Sequence, residues 1–191
     1  MDLLELTAVV LALLYVVLAI KEHRSCWLAG GMSAGIYAVV FWRVDLLMEA
    51  ALQLFYIAMS VYGWRSWGAD NSAAALPIQR WPWRNHVAAL SFVVLGAWLV
   101  GGLLSSYTSA AMPFMDTGTT LAALVTTWMV ARKVLANWLY WIAIDAVSIY
   151  LYLNRGLDLT AALFGAYIVL AAAGYWQWQT HFAHQQVNSG A

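Results

Sequence analysis

Seven stretches of this sequence are long and apolar enough to cross the roughly 30 Å of a bilayer's hydrocarbon core, and they limit what the chain can fold into. They lie near residues 3–20, 26–42, 46–64, 87–105, 114–131, 135–153 and 157–178, and charged residues avoid their middles almost completely. Of the 191 residues, 64% are hydrophobic and 9% charged, against about a quarter charged in a soluble domain. A soluble core of this size has no use for so much apolar surface, so the excess faces lipid. Backbone inside hydrocarbon must satisfy its own hydrogen bonds, which leaves helices or closed barrels. Barrel strands alternate in polarity, and these runs do not. The sequence therefore predicts an all-α integral membrane protein of seven transmembrane helices.

Nine Lys and Arg balance nine Asp and Glu, so no net field draws nucleic acid to the chain. A single cysteine, Cys26, leaves neither an internal disulfide nor a cysteine metal site. His23, His86, His181 and His184 sit at helix ends or in loops. The last two are three apart, and a solvated tail suits them better than a shared metal. No metal site, cofactor or catalytic cluster is expected. The opening "MDLLELT" has two acids and no base, the reverse of a cleavable signal, so the first helix is expected to be kept.

An odd number of spans puts the termini on opposite sides. Lys21, Arg24, Arg65, Arg80, Arg84, Arg132 and Lys133 fall on one side, and Arg43 and Arg155 on the other. The positive-inside rule then places the C-terminus in the cytoplasm and the N-terminus outside.

Slid against itself by 111 residues without gaps, the chain brings Trp27 onto Trp138, Tyr56 onto Tyr167, Gly63 onto Gly174 and Trp67 onto Trp178. The aromatic and glycine matches share one register, which reads as a diverged three-helix repeat. One further helix restores the direction of the chain, giving a 3+1+3 order of parallel repeats. The expected organisation is a first bundle over 1–64 and a middle section over 65–113 that holds a linker helix near 87–105. A second bundle follows over 114–180 and a tail over 181–191. In carriers built this way the site lies near the midplane.

Polar residues recur at helical spacing on three spans. Glu49, Gln53, Tyr56, Ser60 and Gly63 share one face of the third helix. Asn137, Trp141, Asp145, Ser148 and Tyr152 share a face of the sixth, and Thr160, Phe164, Tyr167, Gly174 and Trp178 one of the seventh. An ionisable group in lipid costs at least about 2.5 kcal/mol, so Asp145, midway along its span, needs a reason. Either Asp145 and Gln53 are hydrogen-bonding glue between helices, or they line a ligand path. The repeat favours the second, because Gln53 corresponds to Phe164 and Asp145 to Ala34: the scaffold is doubled but the polar groups are not.

Trp64, Trp67, Trp81, Trp83, Trp176 and Trp178, near the loops, read as an interfacial aromatic belt. Trp138, Trp141, Tyr56 and Tyr167 sit deeper and suit stacking. Gly31 and Gly35, four apart in "GGMSAG", read as close helix packing, as do Gly63 and Gly174. Aromatic faces attract flat cations, and no Lys or Arg lies mid-span to neutralise a phosphate. The ligand these residues suit best is planar, cationic and unphosphorylated, of nucleoside size.

The segments "LQLFYIAMSVYGWRSW", "ARKVLANWLYWIAIDAVSIYLYLNRGL" and "YIVLAAAGYWQW" resemble the PnuC family of bacterial vitamin transporters, and the likeness runs along nearly the whole chain. The resemblance implies a seven-helix pseudo-symmetric fold related to the SWEET sugar transporters. It implies uptake of nicotinamide riboside by facilitated diffusion across the inner membrane, with a cytosolic riboside kinase trapping the product. It further implies a homo-oligomer, a trimer in the family, and places Gln53, Tyr56, Asn137, Trp138, Trp141 and Asp145 around the substrate. Tyr167 joins them by its depth and aromatic face; Glu49, Ser60, Ser148 and Tyr152 are secondary candidates. Thiamine, carried by siblings of the family, is the alternative substrate.

Other seven-helix functions fit poorly. A retinal protein needs a lysine in the last span, and the chain's two lysines, Lys21 and Lys133, are both at helix ends. An ATP-driven pump needs a phosphate-binding loop, and the sequence has no Gly-Lys pair. A proton-coupled carrier using Asp145 and Glu49 is the rival mechanism. The resemblance argues against coupling.

Overall fold

Apolar spans broken by short polar links give helices that double back on one another, and this is how the chain is built. The computed structural model describes residues 3–43, 47–68, 76–107, 112–154 and 156–188, apart from the side chains of 47–49 and 159. Among the described residues there are seven helices: α1 (Leu3–Ile20), α2 (Cys26–Arg43), α3 (Leu47–Ser66), α4 (Trp83–Tyr107), α5 (Pro113–Ala131), α6 (Asn137–Asn154) and α7 (Asp158–Asn188). Each falls on one of the seven expected spans. Two run further than expected. α4 begins at Trp83, directly after Pro82, and α7 continues past residue 178 to Asn188 because neither glycine nor proline interrupts "YWQWQTHFAHQQVN".

Helix ends follow local chemistry. Pro113 opens α5, where its missing N–H loses nothing, and Thr117 Oγ1 donates to the Pro113 carbonyl at 2.7 Å. α6 ends in a left-handed residue, Gly156 (φ 71°). The Gly156 and Leu157 amides donate to the Leu153 and Tyr152 carbonyls, a Schellman closure.

Two compact units result. The first comprises 1–78, 130–133 and 177–191; the second, 79–129 and 134–176. In the first, α2 packs between α1 and α3. Small residues make this possible: Gly31 meets Ser60 of α3, Gly30 lies under the Tyr15 ring of α1, and Ser33 Oγ donates to the Ala8 carbonyl at 2.8 Å. Of the glycines in "GGMSAG", Gly30 and Gly31 thus make the close approach. Gly35, expected to do so, has open space where a side chain would go, because the interhelical contact is already made one turn earlier.

The repeat predicted from the sequence recurs as geometry inside each unit. In the first, the Trp27 ring lies directly on Gly63, so that any side chain there would collide with it. In the second, the Trp138 ring lies on Gly174, and a Cβ would fall 2.7 Å from it. These are the same two positions, 111 residues on.

The turns after α1 and α5 match as well. Glu22 (φ 56°) and Lys133 (φ 48°) both adopt the left-handed conformation. Around them Glu22 N donates to Ala19 O and His23 N to Leu18 O, while Lys133 N donates to Val130 O and Val134 N to Met129 O. Both are Schellman closures with a charged residue where glycine is usual. Glu22 Oε2 and Lys133 Nζ are 2.9 Å apart, with side chains 15% and 6% exposed.

Trp67 and Trp178 depart from the expected belt. They are 2% and 0% exposed and pack edge to face, ring centroids 6.0 Å apart. The Trp178 indole donates to the carbonyls of Ala19 and Ile20 at 3.1 and 3.2 Å, and the Trp67 indole to that of Val130 at 3.3 Å. Each adds a side-chain donor to carbonyls in the last turn of a helix. Trp83 and Trp176 are largely exposed, as a belt requires. Trp64 sits under the Arg24 guanidinium at 3.8 Å, and Trp81 packs against His86 and Trp128.

Gly174→Ala is expected to cost about 1–3 kcal/mol of stability through overpacking against the ring, read as a lower melting temperature of the purified protein; unchanged melting would mean that the ring does not sit on that glycine. Glu22→Leu leaves the buried Lys133 ammonium without its carboxylate and is expected to cost about 3–5 kcal/mol, whereas Lys133→Met, which leaves Glu22 beside His181, costs less, and the double change costs less than Glu22→Leu alone. Chemical denaturation of the three variants checks the order.

Candidate functional site

α6 carries the polar face. Asn137, Trp138, Asp145 and Ser148 are all buried, Asn137 completely, and Trp141 and Tyr152 are half-buried. Their three- and four-residue spacing keeps Asn137, Trp141, Asp145, Ser148 and Tyr152 on one side of the helix.

Asn137 occupies the first turn, where its Nδ2 donates to the Val134 carbonyl at 2.8 Å. Its Oδ1 is buried with no hydrogen-bond partner among the described residues. Asp145, 4% exposed, makes no hydrogen bond or ion pair among the described residues. A buried carboxylate acting as interhelical glue would show the bond that makes it glue.

Within the same unit α7 meets α6 through aromatics. Tyr152 and Phe164 lie 5.1 Å apart by centroid, and Tyr167 stands edge-on to Phe164 at 5.9 Å. Tyr167 is therefore joined to the α6 face through Phe164. The Trp138 ring lies on Gly174 of α7.

In the first unit, α3 places Gln53 and Tyr56 half-buried and Ser60 buried. Gln53, like Asp145, makes no hydrogen bond among the described residues. Ser60 packs on Gly31 and so belongs to the α2–α3 contact. Glu49 is helical, and its side chain lies outside the described residues.

Trp27 is not among the residues expected at the site, yet it has an open polar atom. It is 2% exposed, flanked by Tyr15 and Trp67 at 5.8 and 5.5 Å, and its indole N–H has no partner among the described residues. Its alignment with Trp138 in the repeat was the available signal.

No group of three or more His, Cys, Asp or Glu among the described residues is placed to hold a metal. An open groove of about 420 Å³ is lined by Leu4, Met32, Gly35, Ile36, Val39 and Arg43, away from every predicted residue. Apart from Arg43 its walls are apolar.

Large apolar side chains dominate the outward faces: Val10, Leu14 and Val17 along α1, and Val94, Leu95, Trp98 and Leu99 along α4, are all exposed. Seven helices with such apolar outer faces make a multi-pass membrane protein. Residues 2–180 match the family model described as nicotinamide mononucleotide transporter, and the chain belongs to that family, one of transporters and not of enzymes.

Among curated relatives it is similar to the nicotinamide riboside transporter PnuC of Escherichia coli, 23% identical with 80% of this chain and 75% of the relative covered. It is also similar to the riboflavin/roseoflavin transporter RibM of Streptomyces davaonensis, 22% identical with 88% and 81% covered. A crystal structure of the vitamin B3 transporter PnuC, 22% identical, matches 95% of this chain and 82% of its own with a TM-score of 0.73, so the fold is shared.

Asp145→Asn removes a buried carboxylate that has no partner among the described residues, so the variant is expected to be at least as stable as the parent. A clear fall in its melting temperature would reveal a partner for the carboxylate and return Asp145 to the role of glue.

Proposed function

We propose that this protein carries nicotinamide riboside into the cell across the bacterial inner membrane by facilitated diffusion, where a riboside kinase traps it for NAD synthesis. The observation that carries the reading is that two polar side chains in the membrane, Asp145 and Gln53, make no hydrogen bond among the described residues. Such groups persist in hydrocarbon when they serve a ligand or ion path. Asp145 and the aromatic rings of Trp141, Tyr56, Trp138 and Tyr167 suit the flat cationic ring. Gln53 and the open Oδ1 of Asn137 suit an amide and a ribose. Ser148 and Tyr152 extend the α6 face.

The riboside is preferred to its mononucleotide because the buried cation among the described residues, Lys133, lies at the end of α5 and is already paired with Glu22. A phosphate would enter without a partner. The likeness to RibM supports a second reading, riboflavin, which is also planar and unphosphorylated and needs no acid beside its ring. Thiamine is the third ligand to offer. The C-terminus is proposed to be cytoplasmic on the distribution of Lys and Arg, and the assembly a trimer with one path per protomer.

Calorimetry on the purified protein, offering nicotinamide riboside, its mononucleotide, riboflavin and thiamine in turn, decides among them. Riboside binding that Trp141→Ala or Gln53→Ala weakens about tenfold or more, the equivalent of about 1.4 kcal/mol, is the expected result. A preference for riboflavin moves the substrate and keeps the fold, and tight mononucleotide binding refutes the argument from absent cations. In kinase-free vesicles an imposed pH gradient is expected to produce no accumulation; accumulation would establish proton coupling.

A further inference from the structure

At the end of the molecule bearing the α1–α2 and α5–α6 turns, the first compact unit holds a set of contacts that obeys the internal repeat in an unusual way. Glu22 and Lys133 are matched positions, 111 residues apart, and each is bonded to the other. Trp67 and Trp178 are matched in the same register, and each packs on the other. Ala19 and Val130 are matched too, and their carbonyls accept from Trp178 and Trp67 respectively. Every bond therefore runs from one three-helix repeat to the other, and the set maps onto itself when the repeats are exchanged. Lys133 Nζ lies over the Trp67 ring at 4.7 Å, and His181 Nδ1 approaches Glu22 Oε1 at 2.6 Å.

Packing alone does not call for this set. Glu22 and Lys133 take a left-handed backbone where the α6 end uses glycine, and such positions persist at a cost where function retains them. Buried tryptophans whose N–H reaches across to another repeat's helix end tie that repeat's position, not their own helix.

We propose that Glu22, Lys133, Trp67 and Trp178 form a clasp that closes the transport path at this end and must part for substrate to pass. The inference rests on the transport function proposed above. In carriers built from repeats, access alternates by one repeat rocking against the other around a fixed site. Bonds that cross from repeat to repeat at one end are those such a motion breaks. The polar part of the clasp is an ion pair and three indole hydrogen bonds, whose partners water entering from the end can replace.

The test uses Glu22→Cys and Lys133→Cys in a Cys26→Ala background, reconstituted in vesicles and joined by a short bis-methanethiosulfonate linker that dithiothreitol reverses. Linking is expected to lower uptake of radiolabelled nicotinamide riboside at least about tenfold, with binding by calorimetry unchanged and uptake restored on reduction, since closure gates passage and not affinity. Uptake that continues in fully linked protein overturns the proposal. So does loss of binding together with uptake, which would put the pair in the substrate site or in folding. Where the cysteine pair fails to fold, Lys21→Cys with Arg132→Cys, both exposed, again 111 residues apart and each preceding a clasp residue in the chain, leaves the clasp side chains intact, with the same outcomes expected. Wild-type uptake of riboside and of riboflavin, measured before any linker is added, shows a failed substrate assignment separately, and the faster of the two then serves as the probe.

Discussion

A tryptophan ring laid on a bare glycine joins the second and third helices of each repeat. In lipid no hydrophobic driving force joins helices, so association rests on close van der Waals fit and on the few polar bonds available. Trp27 on Gly63 and Trp138 on Gly174 supply that fit twice. The glycines have no side chain to give, and the indoles bring the largest flat surface a residue offers. The contact also fixes the helix faces: with Trp138 turned onto α7, the rest of the α6 polar face has its direction set.

The charges divide into two kinds. Lys133, buried, and Glu22, half-buried, are paired at helix ends, and their pairing ties the two halves of the sequence. Asp145, in the middle of a helix, is buried and makes no ion pair among the described residues. Desolvation penalises both, but the protein answers the penalty only in the first case. A scaffold needs its charges answered at all times, whereas a path needs groups that are answered by what moves along it.

Much of the architecture was legible in the chain. Seven apolar runs became seven helices, because hydrocarbon permits few other forms to a backbone. The repeat was visible as matched aromatics and glycines, since those positions are constrained by shape. The α6 face could be read from spacing alone. Trp67 and Trp178 were misread as belt residues because an interfacial and a buried tryptophan look alike in sequence; what separates them is whether a carbonyl from elsewhere in the chain reaches the indole. Gly35 was misread for a related reason, that a glycine records the absence of a side chain and not what lies opposite.

The clasp shows where sequence reading stops. Its four members were all in view, and opposite charges at matched positions of a repeat hinted at it, yet nothing local to Glu22 names Lys133. By itself the sequence determined the class of the protein, the number of its helices, the repeat and the polar faces, because each follows from composition or from a period along one segment. Tertiary structure alone decided which tryptophans are anchors and which are bonded core, which charges are answered, and that two strained turns 111 residues apart meet, because those depend on distances between segments that no local pattern encodes.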